Sequence, residues 1–132
     1  MENFFKNILN DNTITPPEGI LKHFQKNFAR AVFIEWYSDN EFYEAIFYED
    51  DFERIAKYDL ENNFINVKTN ISPELLPATI KDKAIAYGEL MNCIIIDNNK
   101  EKDYEIIYRD SELIRYLLFL DQNGTEIKHQ KL

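Results

Sequence analysis

Apolar residues recur along this chain with two different spacings. Ile20, Leu21, Phe24 and Phe28 follow the helical period and give one apolar face. Just ahead of them, Thr15-Pro16-Pro17-Glu18 reads as a helix start. Thr15 caps, Pro16 suits the first helical position, and Glu18 completes a capping box. The predicted helix ends near 28–30. Strand patterns follow. Residues 31–37 are rich in β-branched and aromatic side chains, and Ser38-Asp39-Asn40 is a turn signal. Residues 42–48 alternate, Glu49-Asp50-Asp51 turns the chain, and 52–58 form a third strand. After a turn over 59–63, residues 64–68 predict a short fourth strand near an edge.

The pattern then restarts. Pro73 and Pro77 bracket a second helix start, Leu76, Ile80, Ala84 and Tyr87 supply its apolar spacing, and Gly88 is a candidate C-terminal cap. Strands are predicted over 90–96, 104–108, 113–120 and 126–129, with turns at 97–100 and 121–124. Overlaid at an offset of 60 to 62 residues, Pro17 falls on Pro77 and Ile20 on Ile80. Ile34 and Trp36 fall on Ile94 and Ile96, Tyr43-Glu44 on Tyr104-Glu105, Phe47 on Tyr108, Arg54 on Arg115, and Asp59 on Asp121. The expected fold is therefore α+β: one domain of two tandem repeats, 15–70 and 72–132, after an N-terminal arm over 1–14. Each repeat lays one helix on an antiparallel meander of three or four strands. Neither half is large enough to bury a comfortable core alone, so the sheets are expected to share one or abut.

Strict alternation then sorts the faces. Val32, Ile34, Trp36, Tyr43, Ala45 and Phe47 should face the helix, as should Tyr104, Ile106 and Tyr108. Phe33, Glu35, Tyr37, Phe42, Glu44, Ile46 and Tyr48 should point away from it. A one-residue slip would invert every assignment.

Composition narrows the function. In 132 residues there are 15 basic and 24 acidic side chains, a net charge of −9. Nucleic acid and anionic membranes are poor partners for such a chain, whereas a basic protein is a fitting one. No apolar run approaches the ~20 residues of a membrane helix, and no secretory signal is visible. The chain is thus expected in the cytoplasm, or in the periplasm if an export signal has been removed. Cys93, within Cys93-Ile94-Ile95-Ile96, reads as a small buried hydrophobe. Catalytic groups are sparse. His23 and His129 are the two histidines, both expected to be solvated, and no nucleophile elbow or phosphate-cradling loop is present. The acidic run 97–103 has Lys102 where a calcium loop needs glycine and Tyr108 where it needs a bidentate Glu. No metal, cofactor or catalytic residue is expected.

What rises above this background is the outer face: Phe33, Tyr37, Phe42 and Tyr48 interleaved with Glu35 and Glu44. Such aromatics dominate protein interfaces, though the same face would also serve to pack against the other half or a dimer mate. The run of Pro17, Phe24, Phe28, Glu35-Trp36, Tyr43-Glu44-Ala45 and Phe47, with the closing segment 118–127, resembles the repeat of the PepSY-like family, described as β-lactamase-inhibitor-like. The resemblance implies two helix-plus-sheet repeats, in proteins that are usually exported by bacteria and have no established catalysis, and inhibition by presentation of a sheet face. Ile96 stands where the first half has Trp36, so the two halves need not bind alike. The expected function is a non-enzymatic, inhibitor-like protein-binding module that uses Phe33, Glu35, Tyr37, Phe42, Glu44 and Tyr48. The alternatives are a small-molecule binder with a cleft between the repeats, a cytoplasmic immunity-type protein that neutralises a basic partner, and a structural dimer.

Overall fold

The computed structural model describes residues 14–132; apart from Ile14, the expected N-terminal arm lies outside them. The elements are α1 (Glu18–Asn27), β1 (Val32–Ser38), β2 (Phe42–Glu49), β3 (Phe52–Asp59), β4 (Phe64–Ile71), a 3-10 turn (Pro73–Leu75), α2 (Ala78–Ile85), β5 (Glu89–Asp97), β6 (Lys102–Arg109), β7 (Arg115–Leu120) and β8 (Glu126–Lys131). The α+β class is as expected. The strands follow sequence order, β1 to β8, in an open sheet, and β1–β2, β2–β3, β5–β6, β6–β7 and β7–β8 pair antiparallel. The chain divides into two compact units, Met1–Val67 and Lys68–Leu132. The break falls inside β4, which is eight residues long and interior in the strand order. The expectation of a short edge strand there is corrected: its Asn66, Lys68 and Asn70 look like edge polarity, yet they alternate with the buried Val67 and Ile71.

In the first unit, α1 starts after Pro17 without a side-chain cap, and Leu21 N–H donates to the Pro17 carbonyl instead. The Thr15–Glu18 capping box does not form. Two prolines in succession already hold the entering chain extended, so the helix begins one residue beyond them. The face of α1 bearing Ile20 and Phe24, with Phe28 just past the helix end, packs on Trp36, Ala45, Phe47, Ala56, Tyr58 and Val67. Ala45 and Ala56 are partners across β2–β3 and keep the sheet low beneath the helix. The rings above them pack edge to face: Phe24 meets Trp36 at 5.1 Å and 69°, and Phe47 at 4.9 Å and 85°. These are the favoured geometries for aromatic pairs.

In the second unit, Ile80 and Ala84 of α2 are buried, as is the cross-strand row Cys93–Ile106–Leu118. Gly88 is not the left-handed helix cap expected of it, since Gly124 is the glycine with positive φ. A Cβ at Gly88 would lie 2.3 Å from the Arg109 carbonyl oxygen, so a close backbone approach explains this glycine. Apart from the β2–β3 hairpin, whose Asp50 is engaged by the Arg30 side chain, the loops between paired strands open on an aspartate that closes them. The Oδ1 atoms of Asp39, Asp59, Asp97, Asp110 and Asp121 each accept a backbone N–H two residues on, and all but Asp97 accept a second one further along.

Two substitutions test this packing. Phe24→Ala should lower stability by about 3–5 kcal/mol, read from the shift in denaturant midpoint. Gly88→Ala should cost about 1–3 kcal/mol, because backbone must move to admit the methyl group.

Candidate functional site

Antiparallel register places directly paired residues on the same face. In the first unit the helix-side rows are Trp36–Ala45–Ala56 and Ser38–Tyr43–Tyr58. The opposite face carries the rows Val32–Tyr48–Glu53, Glu35–Ile46–Ile55, Tyr37–Glu44–Lys57 and Phe42–Asp59. Glu35, Tyr37, Phe42, Glu44 and Tyr48 therefore share one face, as the alternation implied.

Alternation fails at the start of β1. From Val32 to Glu35 the strand advances three residues while β2, from Tyr48 to Ile46, advances two. The extra residue is a β-bulge, and Phe33 within it has φ 55. Val32, expected under the helix, consequently sits in the outer row opposite Tyr48. Val32 and Ile34 are 50% and 40% exposed, and Phe33 is 83% exposed, its ring edge-on to Tyr48 at 6.4 Å. Tyr37 needs a second correction. It occupies the outer face but is 2% exposed, so its ring is not offered to a partner. Glu35, Phe42 and Glu44 are half-buried, and Tyr48 is exposed.

A longer hairpin displaces the expected match between halves: Trp36 pairs with Ala45, whereas Cys93 pairs with Ile106. β5 carries its own register shift between Leu90 and Asn92. Ile94 and Ile96 pair with Glu105 and Asp103, on the face opposite the buried row through Cys93. Trp36 faces its helix, so Trp36 and Ile96 are not equivalent.

Electrostatics distinguish this face. Residues 14–67 carry five basic and eleven acidic side chains, a net −6, against −2 for residues 68–132. Several of these acids are already engaged. Arg30 grips Asp50 with two donated bonds of 2.8 and 2.6 Å, which holds the Asp50 carboxyl below the usual range. The buried Glu49 accepts from Arg54 at 2.5 Å and from the Arg30 backbone N–H at 3.3 Å. Lys57 places its ammonium 4.0 Å from the centre of the Phe42 ring, a cation–π contact on the outer face.

The groups with catalytic potential are tied into structure. His23 stacks on Phe64 and its Nδ1 lies 2.7 Å from the Tyr58 hydroxyl. His129 Nε2 lies 2.5 Å from the hydroxyl of buried Tyr108. The expectation of two solvated imidazoles is corrected: each meets a tyrosine that the fold buries, and the polar tip of a buried tyrosine needs a partner. Burial pushes the Cys93 thiol up to about 11, consistent with an unreactive side chain. Among the described residues no cluster of His, Cys, Asp or Glu is arranged to hold a metal ion. No helix among them is long and apolar enough to cross a membrane.

No family model matches this chain, and neither does any curated protein. Solved structures do. A DUF2874 family protein from Bacteroides ovatus is 21% identical with a TM-score of 0.79, covering 89% of each chain. A BLIP-like protein from Bacteroides fragilis is 15% identical with a TM-score of 0.78, covering 93% of this chain and 91% of that one. A Bacteroides eggerthii protein provisionally named periplasmic is 16% identical with a TM-score of 0.78, covering 89% and 90%. The fold is therefore that of the BLIP-like and DUF2874 structures.

The pH dependence of stability follows from the shifted groups. Burial lowers the pKa of His23, so the unfolded chain takes up that proton first and stability falls as pH drops below about 6.5. Asp39 and Asp59 are held low by backbone N–H donors, so further stability is lost through the carboxylate range and below it. His23→Gln should flatten the dependence of melting temperature on pH between 7 and 5, and the loss at lower pH through Asp39 and Asp59 is partly offset by Asp103, whose carboxyl burial pushes up.

Proposed function

We propose that the chain is a non-enzymatic, inhibitor-like protein-binding module. It presents the outer face of the first unit, with Phe33, Glu35, Phe42, Glu44 and Tyr48 as contacts and Tyr37 as a buried support. The observation that carries this reading is the row pattern: aromatic, aliphatic and acidic side chains alternate on the face away from α1 in the most acidic part of the chain. Interfaces concentrate aromatic anchors among polar neighbours in this way. The fold shared with a BLIP-like protein supports the reading, and the acidity favours a basic partner. The provisional naming of the Bacteroides eggerthii neighbour supports an exported, periplasmic site of action.

The same reading takes the two units as tandem repeats. Each has a helix followed by an antiparallel ladder whose first strand is bulged near its start. The second unit's matching positions differ in chemistry, so the first unit carries the contact.

Crosslinking the purified chain to soluble proteins of its own cell should capture a saturable partner. Tyr48→Ala should weaken that capture by about tenfold or more, and Glu35→Lys with Glu44→Lys should abolish it. Lys128→Ala, on β8, should leave it unchanged. Capture unaffected by every outer-face change would refute the assignment.

A further inference from the structure

We propose that Phe33 is the anchor of this interface and that its occupant is a folded protein with an apolar recess rimmed by lysine or arginine; the inference rests on the binding role proposed above. Phe33 is the most exposed large apolar residue among those described, at 83%. Its φ of 55 is a left-handed conformation that glycine adopts freely and a bulky aromatic adopts under strain. Folding thus gains little from a phenylalanine here. The ring is scarcely buried, the backbone is strained, and the bulge would be easier to form with glycine. Strain held at an exposed aromatic points to a contact made outside the chain.

Its surroundings define the occupant. Val32, Ile34 and Tyr48 extend the apolar patch, and the edge-on contact with Tyr48 sets one side of the Phe33 ring. Glu53 stands in the same cross-strand row as Val32 and Tyr48, and the exposed Asp51 precedes it at the tip of the β2–β3 hairpin. Asp50 and Glu49 are held by Arg30 and Arg54, whereas Asp51 and Glu53 make no ion pair among the described residues. An approaching surface therefore meets an apolar projection beside two uncommitted carboxylates. A basic rim complements them, while an anionic membrane or a second copy of this net-acidic unit would be repelled.

The test uses the full chain and phenethylammonium as a probe that joins an apolar ring to a cation. Amide shifts should saturate and be confined to residues 32–35, 48 and 51–53. Phenethyl alcohol should bind about fivefold more weakly, the factor expected for one solvent-exposed charge contact. Phe33→Gly should abolish these shifts and melt at the same temperature or higher than the wild type. A lower melting temperature for Phe33→Gly would make Phe33 a folding residue and overturn the proposal. So would shifts centred elsewhere, or equal binding of phenylacetate. Sedimentation showing self-association that Phe33→Gly removes would replace the partner with a second copy, which also overturns it. If Phe33→Gly keeps the captured protein while Glu35→Lys with Glu44→Lys loses it, the anchor is wrong and the binding face stands. If neither change affects capture, the binding face itself fails.

Discussion

One inserted residue in β1 governs how the first unit presents itself. With the bulge, Trp36 stays beneath α1 while Val32 moves to the outer row beside Tyr48 and Glu53. Without it, alternation would carry Val32 and Ile34 toward the helix side, where the rings of Phe24, Phe28 and Phe47 already pack. Two more β-branched side chains would have to be packed among those rings. The bulge thus reconciles a full aromatic core with an apolar triplet at the strand's start, and the consequence is an apolar projection on the open side.

The net charge of −9 is a second constraint, and the structure divides it between two uses. One set of aspartates opens hairpin loops and accepts backbone N–H groups, which is turn architecture with no bearing on partners. The other set lies on or beside the outer face, with Glu35, Glu44 and Glu53 in successive rows. Composition alone cannot separate the two, because both appear in sequence as acidic residues near strand ends. Hydrogen bonding separates them.

Much of the fold was legible in the chain. Among the described residues both helices, all eight strands and the face of Tyr43, Ala45 and Phe47 follow from spacing, since each segment's period agrees with its final environment. The failures share a cause. The capping box, the short edge strand, the inward Val32 and the Trp36–Ile96 match were all read from local pattern. Each was overridden by a constraint outside it: paired prolines, strand order, a bulge that shifts register by one, or a longer hairpin in the second unit. The candidate face was legible as a set of residues, yet the burial of Tyr37 was not, because alternation assigns a face and says nothing about what covers it.

Nuclear Overhauser contacts across β1–β2 report the register at the start of β1. Val32 should lie opposite Tyr48 and Glu35 opposite Ile46, with Phe33 looped out between them. Continuous pairing, with Phe33 opposite Tyr48 and Ile34 opposite Phe47, would contradict it and return the apolar triplet to an ordinary strand.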